Sequence, residues 1–391
     1  MQDATYEATA RNIMDQFARK TGLSTSAQSP ERYLWTDAFA VCNFLELYRR
    51  TGQEKYRRQA LELVEQVHQV LGKHREDDPR SGWISGLDDE TGHLHPTLGG
   101  MRIGKKLAER KRNRPYEAQL EWDRDGQYYH YLTKWMHALH QVSAVTDDPV
   151  YNQWACELGK AMHRAFAHQL GAGAEKCLYW KMSIDLTYPL VPSMGQHDPL
   201  DGLITCSEVQ RLPAGQPADA SPCDLTNEIA DLSKMCRHKT WTTDDPLGIG
   251  GLLFDACRVL QMMTGNAGFK NHVLLYDILR SSIAGVQAFS AGGSLRVRPE
   301  ERLAFRELGL AIGLHAVPRM LALLQDGLEF ELRDLVSDQL NGLTAAVPLA
   351  TSIETFWLLP SNRRSASWQD HENINMVMLA TSLAPDGFLS L

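Results

Sequence analysis

Acidic residues stand near the start of several apolar segments in this 391-residue sequence. Three of them, Asp125, Asp201 and Glu307, lie at or beyond the first turn of the helix that each segment predicts. One carboxylic acid can protonate a leaving oxygen while a second carboxylate activates water or attacks carbon. We therefore predict that Asp125, Asp201 and Glu307 are catalytic acids.

Aromatic, cationic and histidine side chains near the same segments are candidates for binding a substrate. Trp35 and Asp37 open one predicted helix, where an indole can stack on a ring and a carboxylate can bind a hydroxyl. His130 lies early in another helix, and its sequence context favours contact with a substrate and a position in the core equally. The other candidates are Trp83, Tyr129, Lys181, Asp185, His197, Arg306, His371 and Glu372.

Helix capping is the main alternative role for each of these acids. An Asp at a helix start usually accepts hydrogen bonds from free backbone N–H groups, which stabilises the helix by about 0.5–2 kcal/mol. Asp198 and Asp245 directly precede a proline and Asp244 lies one residue further away; proline fits the first helical position, and these three acids suit capping best. Asp-Pro-Leu occurs at 198–200 and again at 245–247, which suggests one supersecondary unit used twice.

Helical periodicity dominates the chain and predicts about twelve helices with almost no strand. Helices at 54–72, 224–238 and 328–343 carry one apolar stripe, whereas those at 246–263 and 302–324 are apolar nearly all round. A helix that is apolar on every side must be surrounded by others. The alternation therefore predicts six outer helices around six inner ones, an all-α (α/α)6 toroid. Pro318 is expected to kink or shorten its helix, and 344–369 is predicted to be irregular.

Two segments are predicted to form lids within a single domain of residues 1–391. Residues 73–121 are irregular and rich in Gly, Pro, Asp and His, which is typical of a binding loop. Residues 172–197 hold an alternating stretch that predicts a minor β-hairpin with Lys181, Ser183 and Asp185 on one strand face. That face either looks into the pocket or is an exposed polar face.

A basic run from Arg102 to Arg114 lies in the first lid. Such a run is most often a solvated loop. In a chain of net charge −8, the run could instead recruit an anionic substrate such as a uronate or a phosphate.

The aromatic and acidic helix openings at 35–38 and 121–126, with the two Asp-Pro-Leu stretches, resemble the six-hairpin glycosidase-like superfamily. Its members include glucoamylases, unsaturated glucuronyl hydrolases, N-acylglucosamine 2-epimerases and cellobiose 2-epimerases. The resemblance is architectural and covers most of the chain. It implies that the inner helices run in one direction, so that their N-terminal ends line a common pocket, and that the substrate is a carbohydrate.

Composition bounds the other properties. The chain is 43% hydrophobic and 23% charged, a balance that favours neither nucleic acid nor membrane as a partner, and no apolar stretch is expected to span a membrane. The N-terminus lacks a signal-peptide pattern. Seven scattered cysteines predict no disulfide and a cytoplasmic protein. His93 and His95 lack a third metal ligand, and we expect neither metal nor cofactor.

Three functional hypotheses follow. The leading one is a carbohydrate-active enzyme, most simply a glycoside hydrolase, that acts on a small-molecule sugar or sugar acid with the three acids named above. The second is a sugar epimerase or isomerase in which His130 or His371 moves a proton beside a carbonyl. The third is a toroid recruited to small-molecule binding or cyclisation, because folds of this kind host varied functions.

Overall fold

Helices provide most of the regular structure. The computed structural model describes residues 2–24, 30–169, 171, 175–211, 223–264 and 271–391. The chain forms two compact units. The 18–239 unit is Ala18–Lys239, and the 240–391 unit is Thr240–Leu391 with the N-terminal residues through Phe17. The single domain over residues 1–391 stays a prediction. The first helix, α1 (Gln2–Lys20), belongs mainly to the 240–391 unit.

Three pairs of consecutive helices pack together in the described part of the 18–239 unit. They are α2 (Leu34–Thr51) with α3 (Glu54–Leu71), α6 (Tyr129–Thr146) with α7 (Pro149–Phe166), and α8 (Asp198–Gln210) with α9 (Thr226–Met235). Two short helices, α4 (Asp89–Leu94) and α5 (Ala118–Asp123), lie between the first and second pairs in the chain. The predicted first lid therefore contains some helix.

Burial separates the inner helices of this unit from the outer ones. α2 is buried from Leu34 through Leu47 and α8 from Asp198 through Val209. α3 instead buries one stripe that includes Leu63 and Val67, as predicted from its periodicity. α6 packs against both α2 and α8. The starts of these three inner helices supply the candidate site described below.

Short antiparallel strands accompany these helices, which confirms the minor β-structure. β1 (Gln127–Tyr128) pairs with β4 (Lys181–Met182), β4 pairs with β5 (Pro189–Val191), and β2 (Ala167–Gln169) pairs with β3 (Lys176–Leu178). The prediction that Lys181, Ser183 and Asp185 share a strand face is wrong. β4 ends at Met182, and a turn follows in which the Ser183 N–H donates to the Tyr188 carbonyl at 2.9 Å. Residues 172–174 of the predicted second lid lie outside the described residues.

The 240–391 unit is built from α1 and eight further described helices. These are α10 (Pro246–Thr264), α11 (His272–Ala291), α12 (Ala304–Gln325), α13 (Arg333–Thr344), α14 (Pro348–Leu358), α15 (Ala366–Gln369), α16 (Glu372–Leu383) and α17 (Asp386–Leu389). The prediction that 344–369 is irregular is wrong for α14. Pro348 occupies the first turn of that helix, and Ile353 and Trp357 are buried.

Glycines let α10 and α12 approach each other closely. A Cβ atom at Gly250 would lie 2.0 Å from the backbone oxygen of Gly309, and one at Gly313 would lie 2.6 Å from that of Gly250. The two helices therefore touch backbone to backbone. Both were predicted to be apolar all round, and both are extensively buried.

α12 is long and apolar enough to cross a membrane by length and composition, contrary to the expectation from the sequence. Two thirds of its most apolar window (67%) is buried inside the protein, as in the core helix of a globular unit. Pro318 lies inside α12, which continues to Gln325, so the proline does not end the helix.

A disulfide joins Cys156 on α7 to Cys223, which precedes α9. The prediction of no disulfide is therefore wrong. The two cysteines are 67 residues apart in the chain, and their Cα atoms lie 5.7 Å apart. Long separations of this kind carry no sequence signal, because pairing depends on how the helices pack.

Candidate active site

The starts of α2, α6 and α8 meet around His130 in the 18–239 unit. The His130 ring lies 5.9 Å from the ring of Trp35, 5.6 Å from Tyr128 in a stacked geometry, and 4.8 Å edge-on from Tyr131. Its side chain is 29% exposed, so solvent reaches it. We call Trp35, Tyr128, His130, Tyr131 and Asp198 the His130 cluster.

Asp198 supplies a carboxyl group to this cluster. Its Oδ1 lies 3.9 Å from Nδ1 of His130, and its Oδ2 accepts a hydrogen bond from the Gly195 N–H at 3.2 Å. Burial, and secondarily the nearby Asp201 carboxylate, raises the pKa of Asp198 from 3.8 to about 7. A carboxyl group that titrates near neutral pH beside an imidazole is suited to moving protons.

Asp198 does not cap α8, so the capping role predicted for it is wrong. The N-cap residue is His197, and no side chain makes a capping hydrogen bond there. His197, predicted to bind substrate, is half-buried at this position. In contrast, Asp245 does cap α10, because its Oδ2 accepts from the Gly248 N–H at 3.1 Å.

Asp201 lies one turn beyond Asp198 on α8 and has a different environment. Its Oδ1 is 2.7 Å from Nζ of Lys134, and its Oδ2 accepts from the Thr133 hydroxyl at 2.5 Å. The structure thus places Asp198, whose pKa is raised, and Asp201, which is paired with a lysine, on the same face of a helix.

Asp125 is enclosed in a separate network. The side chain is fully buried, and its Oδ2 lies 2.6 Å from Nη1 of Arg102 and 3.4 Å from Nη1 of Arg75. Its Oδ1 accepts from the backbone N–H groups of Gly104 and Gly126, each at 3.0 Å. These contacts anchor the start of the basic segment to the chain before β1. A catalytic role for Asp125 stays a prediction.

Asp37 lies at the start of α2 and has the contacts of a buried cap. Its Oδ2 accepts from the Tyr33 N–H at 2.8 Å, and its Oδ1 lies 3.5 Å from Nη1 of Arg32. Burial, opposed by Arg32, raises the pKa of Asp37 to about 6. Trp35, two residues before, contacts His130 as described. Sugar-hydroxyl binding by Asp37 stays a prediction.

Two predicted aromatic contacts are core residues. Trp83 is buried against Gly72 and Gly92, with Nζ of Lys73 4.6 Å from its ring centre. Tyr129 is fully buried at the start of α6 and packs on Phe166 with ring centres 5.5 Å apart. Neither side chain is placed at an open surface, and their role in binding stays a prediction.

Lys181 and Asp185 belong to two different ion-pair networks. Nζ of Lys181 is buried, 3.2 Å from Oε1 of Glu121, and it also donates to the carbonyls of Glu121 and Arg124 at 2.7 and 2.8 Å. Asp185 pairs with Arg80 at 2.7 Å and accepts from the Ser183 hydroxyl at 2.7 Å. Lys181 also lies 5.2 Å from the Tyr128 ring centre, which connects it to the His130 cluster.

Glu307, the third predicted catalytic acid, belongs to the 240–391 unit. The guanidinium of Arg302 donates from Nε to Oε1 at 2.8 Å and from Nη2 to Oε2 at 2.6 Å. Nε1 of Trp357 also donates to Oε2, at 2.8 Å. Both charged side chains are buried. Arg302 and Trp357 together occupy both carboxylate oxygens of Glu307, and its catalytic role stays a prediction.

The other predicted residues of the 240–391 unit lie at separate positions. Arg306 pairs with Asp245 at 2.7 Å, half exposed. His371 is the N-cap residue of α16, and its ring is 5.5 Å from that of Phe305. Glu372 lines a cavity of about 290 Å³ together with Arg363, Arg364 and Trp368, among others.

The sequence did not identify two residues of the site, Asp198 and Lys134, as functional groups. Helical spacing was the available signal: Lys134 is four residues after His130, and Asp201 is three after Asp198, so each pair shares a helix face. Across the described residues, no three His, Cys, Asp or Glu side chains are grouped so as to hold a metal ion.

The fold is that of an (α/α)6 toroid. No protein-family model and no curated protein matches the chain. Solved structures of carbohydrate-active enzymes match nearly its whole length, and identities of 8–12% mean that the likeness is one of fold.

Three of these structures illustrate the similarity in fold. The GH76 α-mannanase from Bacteroides thetaiotaomicron has a TM-score of 0.56 at 8% identity, over 97% of this chain and 96% of its own. The GH76 α-1,6-mannanase from Salegentibacter sp. HEL1_6 has a TM-score of 0.52 at 12% identity, over 97% and 99%. A D-mannose isomerase has a TM-score of 0.52 at 11% identity, over 98% of each chain.

Proposed function

We propose that this protein is a carbohydrate-active enzyme whose acid–base pair is His130 and Asp198. The observation that carries the proposal is the pair itself: a solvent-reachable imidazole 3.9 Å from a buried carboxyl with a pKa of about 7. Aromatic rings surround the pair, and such rings provide apolar faces on which sugar rings stack.

The chemistry that best fits this pair is proton transfer beside a sugar carbonyl, as in isomerisation or epimerisation. One group removes the proton from the carbon next to the carbonyl, while the other protonates the carbonyl oxygen. Asp198, with a pKa raised to about 7, can give or take a proton near neutral pH, and His130 lies beside it as the partner. The D-mannose isomerase with this fold supports the assignment by analogy only.

Glycosidic hydrolysis is the second candidate, and a specific observation favours it. Asp198 and Asp201 share a helix face but differ in their partners: burial raises the pKa of Asp198, whereas Asp201 is paired with Lys134 at 2.7 Å. Two neighbouring carboxyl groups in different environments are the pattern of an acid and a base in two-carboxylate enzymes. Both mannanases with this fold act on glycosidic bonds, and an inactive variant of one, with two aspartates replaced by asparagine, was solved with α-1,6-mannotriose.

Solvent-exchange measurements separate the two reactions. The protein is incubated in D2O with mannose and with glucose, and proton NMR follows loss of the signal from the hydrogen at C2. Parallel incubations with α-1,6-mannotriose follow release of reducing ends. Epimerisation predicts deuterium at C2 of the epimer, isomerisation predicts deuterium at C1 of the ketose product, and hydrolysis predicts new reducing ends.

Variants then test the assigned pair. His130→Gln and Asp198→Asn are each expected to lower kcat about 10²- to 10⁴-fold, the usual contribution of a positioned acid or base. His95→Gln is a matched control, because His95 pairs with Glu157 away from the cluster. Full activity in both His130→Gln and Asp198→Asn contradicts the proposal. Activity lost only in Asp198→Asn and Asp201→Asn assigns the chemistry to the two carboxylates.

A further inference from the structure

Lys105 stands at the edge of the His130 cluster. Its Nζ lies 5.6 Å from the centre of the Tyr33 ring, and the Tyr33 hydroxyl hydrogen-bonds the Tyr131 hydroxyl at 2.8 Å. Tyr131 is the direct neighbour of His130 in sequence and contacts its ring. A ligand that stacks near His130 therefore has an ammonium group within reach of its periphery.

The Lys105 ammonium has no carboxylate partner within the part of the chain that the structure describes. Two buried lysines near the cluster are paired instead: Lys134 with Asp201 and Lys181 with Glu121. Asp123 and then Asp125 attract Lys105 without forming an ion pair with it, and the Asp125 carboxylate is already bound by arginine. Because Lys105 is half-buried, bulk water hydrates this side chain only in part.

The surroundings of Lys105 are also positive. Basic residues outnumber acidic ones over residues 102–124. Beside α5 lies a cavity of about 400 Å³ whose lining includes four basic residues, Arg110, Lys111, Arg114 and Arg124, and three acidic ones, Glu109, Glu117 and Glu121. An excess of positive charge along a segment raises the local concentration of anions.

An exposed aromatic side chain lies beside the His130 cluster. Trp122 on α5 is 49% exposed, and its ring lies 6.3 Å from that of Tyr128. The basic segment thus includes an aromatic ring on which a sugar can stack, an arrangement that fits a sugar carrying negative charge.

We propose that Lys105 is a specificity residue that binds an anionic group of the sugar, the carboxylate of a uronate or a phosphate ester. The proposal rests on the location of the active site at His130. A charge-assisted hydrogen bond from an ammonium that otherwise lacks a carboxylate gains more than one that must break an existing ion pair.

Binding measurements with sugars matched at C6 test the proposal. Isothermal titration and thermal shift are run with mannose, mannuronate and mannose 6-phosphate, and with the corresponding glucose series. The protein carries His130→Gln, so that no turnover interferes. An acidic member of a series is expected to bind at least about tenfold more tightly than its neutral parent, with affinity that falls as salt rises. Preference for uronate or for phosphate identifies the anionic group.

Two variants with the same change in net charge assign the effect to a position. Lys105→Met is expected to remove the preference for the acidic sugar and leave the affinity of the neutral sugar unchanged. Lys106→Met is the control, because Lys106 is exposed and next in sequence. Lys105→Arg is expected to restore part of the preference.

The outcomes separate this inference from the proposed function. Equal binding of acidic and neutral sugars, no binding of either acidic sugar, or equal effects of Lys105→Met and Lys106→Met overturns the role of Lys105. None of these results bears on the wild-type protein's turnover, which tests His130 and Asp198 independently. Conversely, acidic sugars that bind through Lys105 without being turned over leave this inference standing and reject the acid–base pair.

Discussion

Asp198 and Asp125 are both buried aspartates, but they have different partners. Asp125 is fully buried and is bound by two arginines and several backbone N–H donors. Asp198 is also buried, but it has one backbone donor and another carboxylate nearby. The sequence predicted Asp125 to be catalytic and Asp198 to be a cap, because helix position can be inferred from the sequence but these neighbours cannot. The identity of the partner across space decides which acid can exchange a proton.

The raised pKa of Asp198 predicts a stability that falls as pH rises toward 8. Above pH 4 the unfolded chain has lost this proton, whereas the folded protein keeps it until about pH 7. The unfolded state then binds fewer protons, so the free energy of unfolding decreases with pH, by at most about 4 kcal/mol for this group. Urea unfolding of wild type and Asp198→Asn at pH 5, 6, 7 and 8 measures it.

The asparagine variant is expected to lack this slope, which runs from about pH 4 to about pH 7. Asp37 contributes the same sign at lower pH, because its raised pKa is about 6. Taking the difference between the two proteins at each pH cancels the contribution of Asp37 and of all other groups. Parallel pH curves for the two proteins would show that Asp198 is ionised normally.

Glu307 is expected to stabilise the protein through Arg302. Glu307→Gln removes the charge that compensates a buried guanidinium, and breaking a buried ion pair costs about 3–5 kcal/mol. Asp245→Asn breaks the partly exposed pair with Arg306 and is expected to cost at most about 1 kcal/mol. Thermal unfolding compares the two variants. A wild-type Tm with greatly reduced kcat in Glu307→Gln would instead support the catalytic role predicted from the sequence.

Helix existence and helix character could be predicted from the pattern of apolar residues. The one-sided stripe of α3 and the all-round apolarity of α10 and α12 correspond to their burial. α14 was missed because its sequence follows a run of small residues and its apolar residues were assigned to a loop. The site was less predictable than the helices, because it depends on contacts between α2, α6 and α8 that periodicity does not encode.

The contact between α10 and α12 predicts a large difference between two neighbouring glycines. Gly250→Ala places a methyl group against the backbone of α12, which cannot move aside as a side chain can, and is expected to destabilise by about 3 kcal/mol or more. Gly251→Ala meets no atom within 4 Å and is expected to stabilise α10 by about 1 kcal/mol. Denaturant unfolding of both variants checks the difference. Similar stabilities would mean that the helices are further apart.

At the scale of the whole molecule, alternating buried and half-buried helices made the fold class predictable without a sequence relative. The disulfide could not be foreseen, because Cys156 and Cys223 are distant in the chain and become neighbours only when α7 and α9 pack. The cytoplasmic location predicted from scattered cysteines stays a prediction, and this bond favours an oxidising compartment instead.

The disulfide is expected to contribute about 2–4 kcal/mol by restricting the unfolded chain between α7 and α9. The double variant Cys156→Ser with Cys223→Ser should therefore unfold at a lower temperature than wild type. Dithiothreitol should lower the Tm of wild type toward that of the variant and leave the variant unchanged. Cys177→Ser, which removes a free cysteine, serves as the control. A wild-type Tm that is insensitive to reduction argues against the bond.

The contact between Trp35 and His130 allows the charge on His130 to be followed by tryptophan fluorescence. A protonated imidazole quenches indole emission by accepting an electron from the excited ring, and here the two rings are 5.9 Å apart. The intensity lost on acidification, corrected with Trp35→Phe, reports the charge on the histidine without any substrate. Ligands that bind at the His130 cluster can thus be screened by their effect on fluorescence, even before the natural reaction is identified.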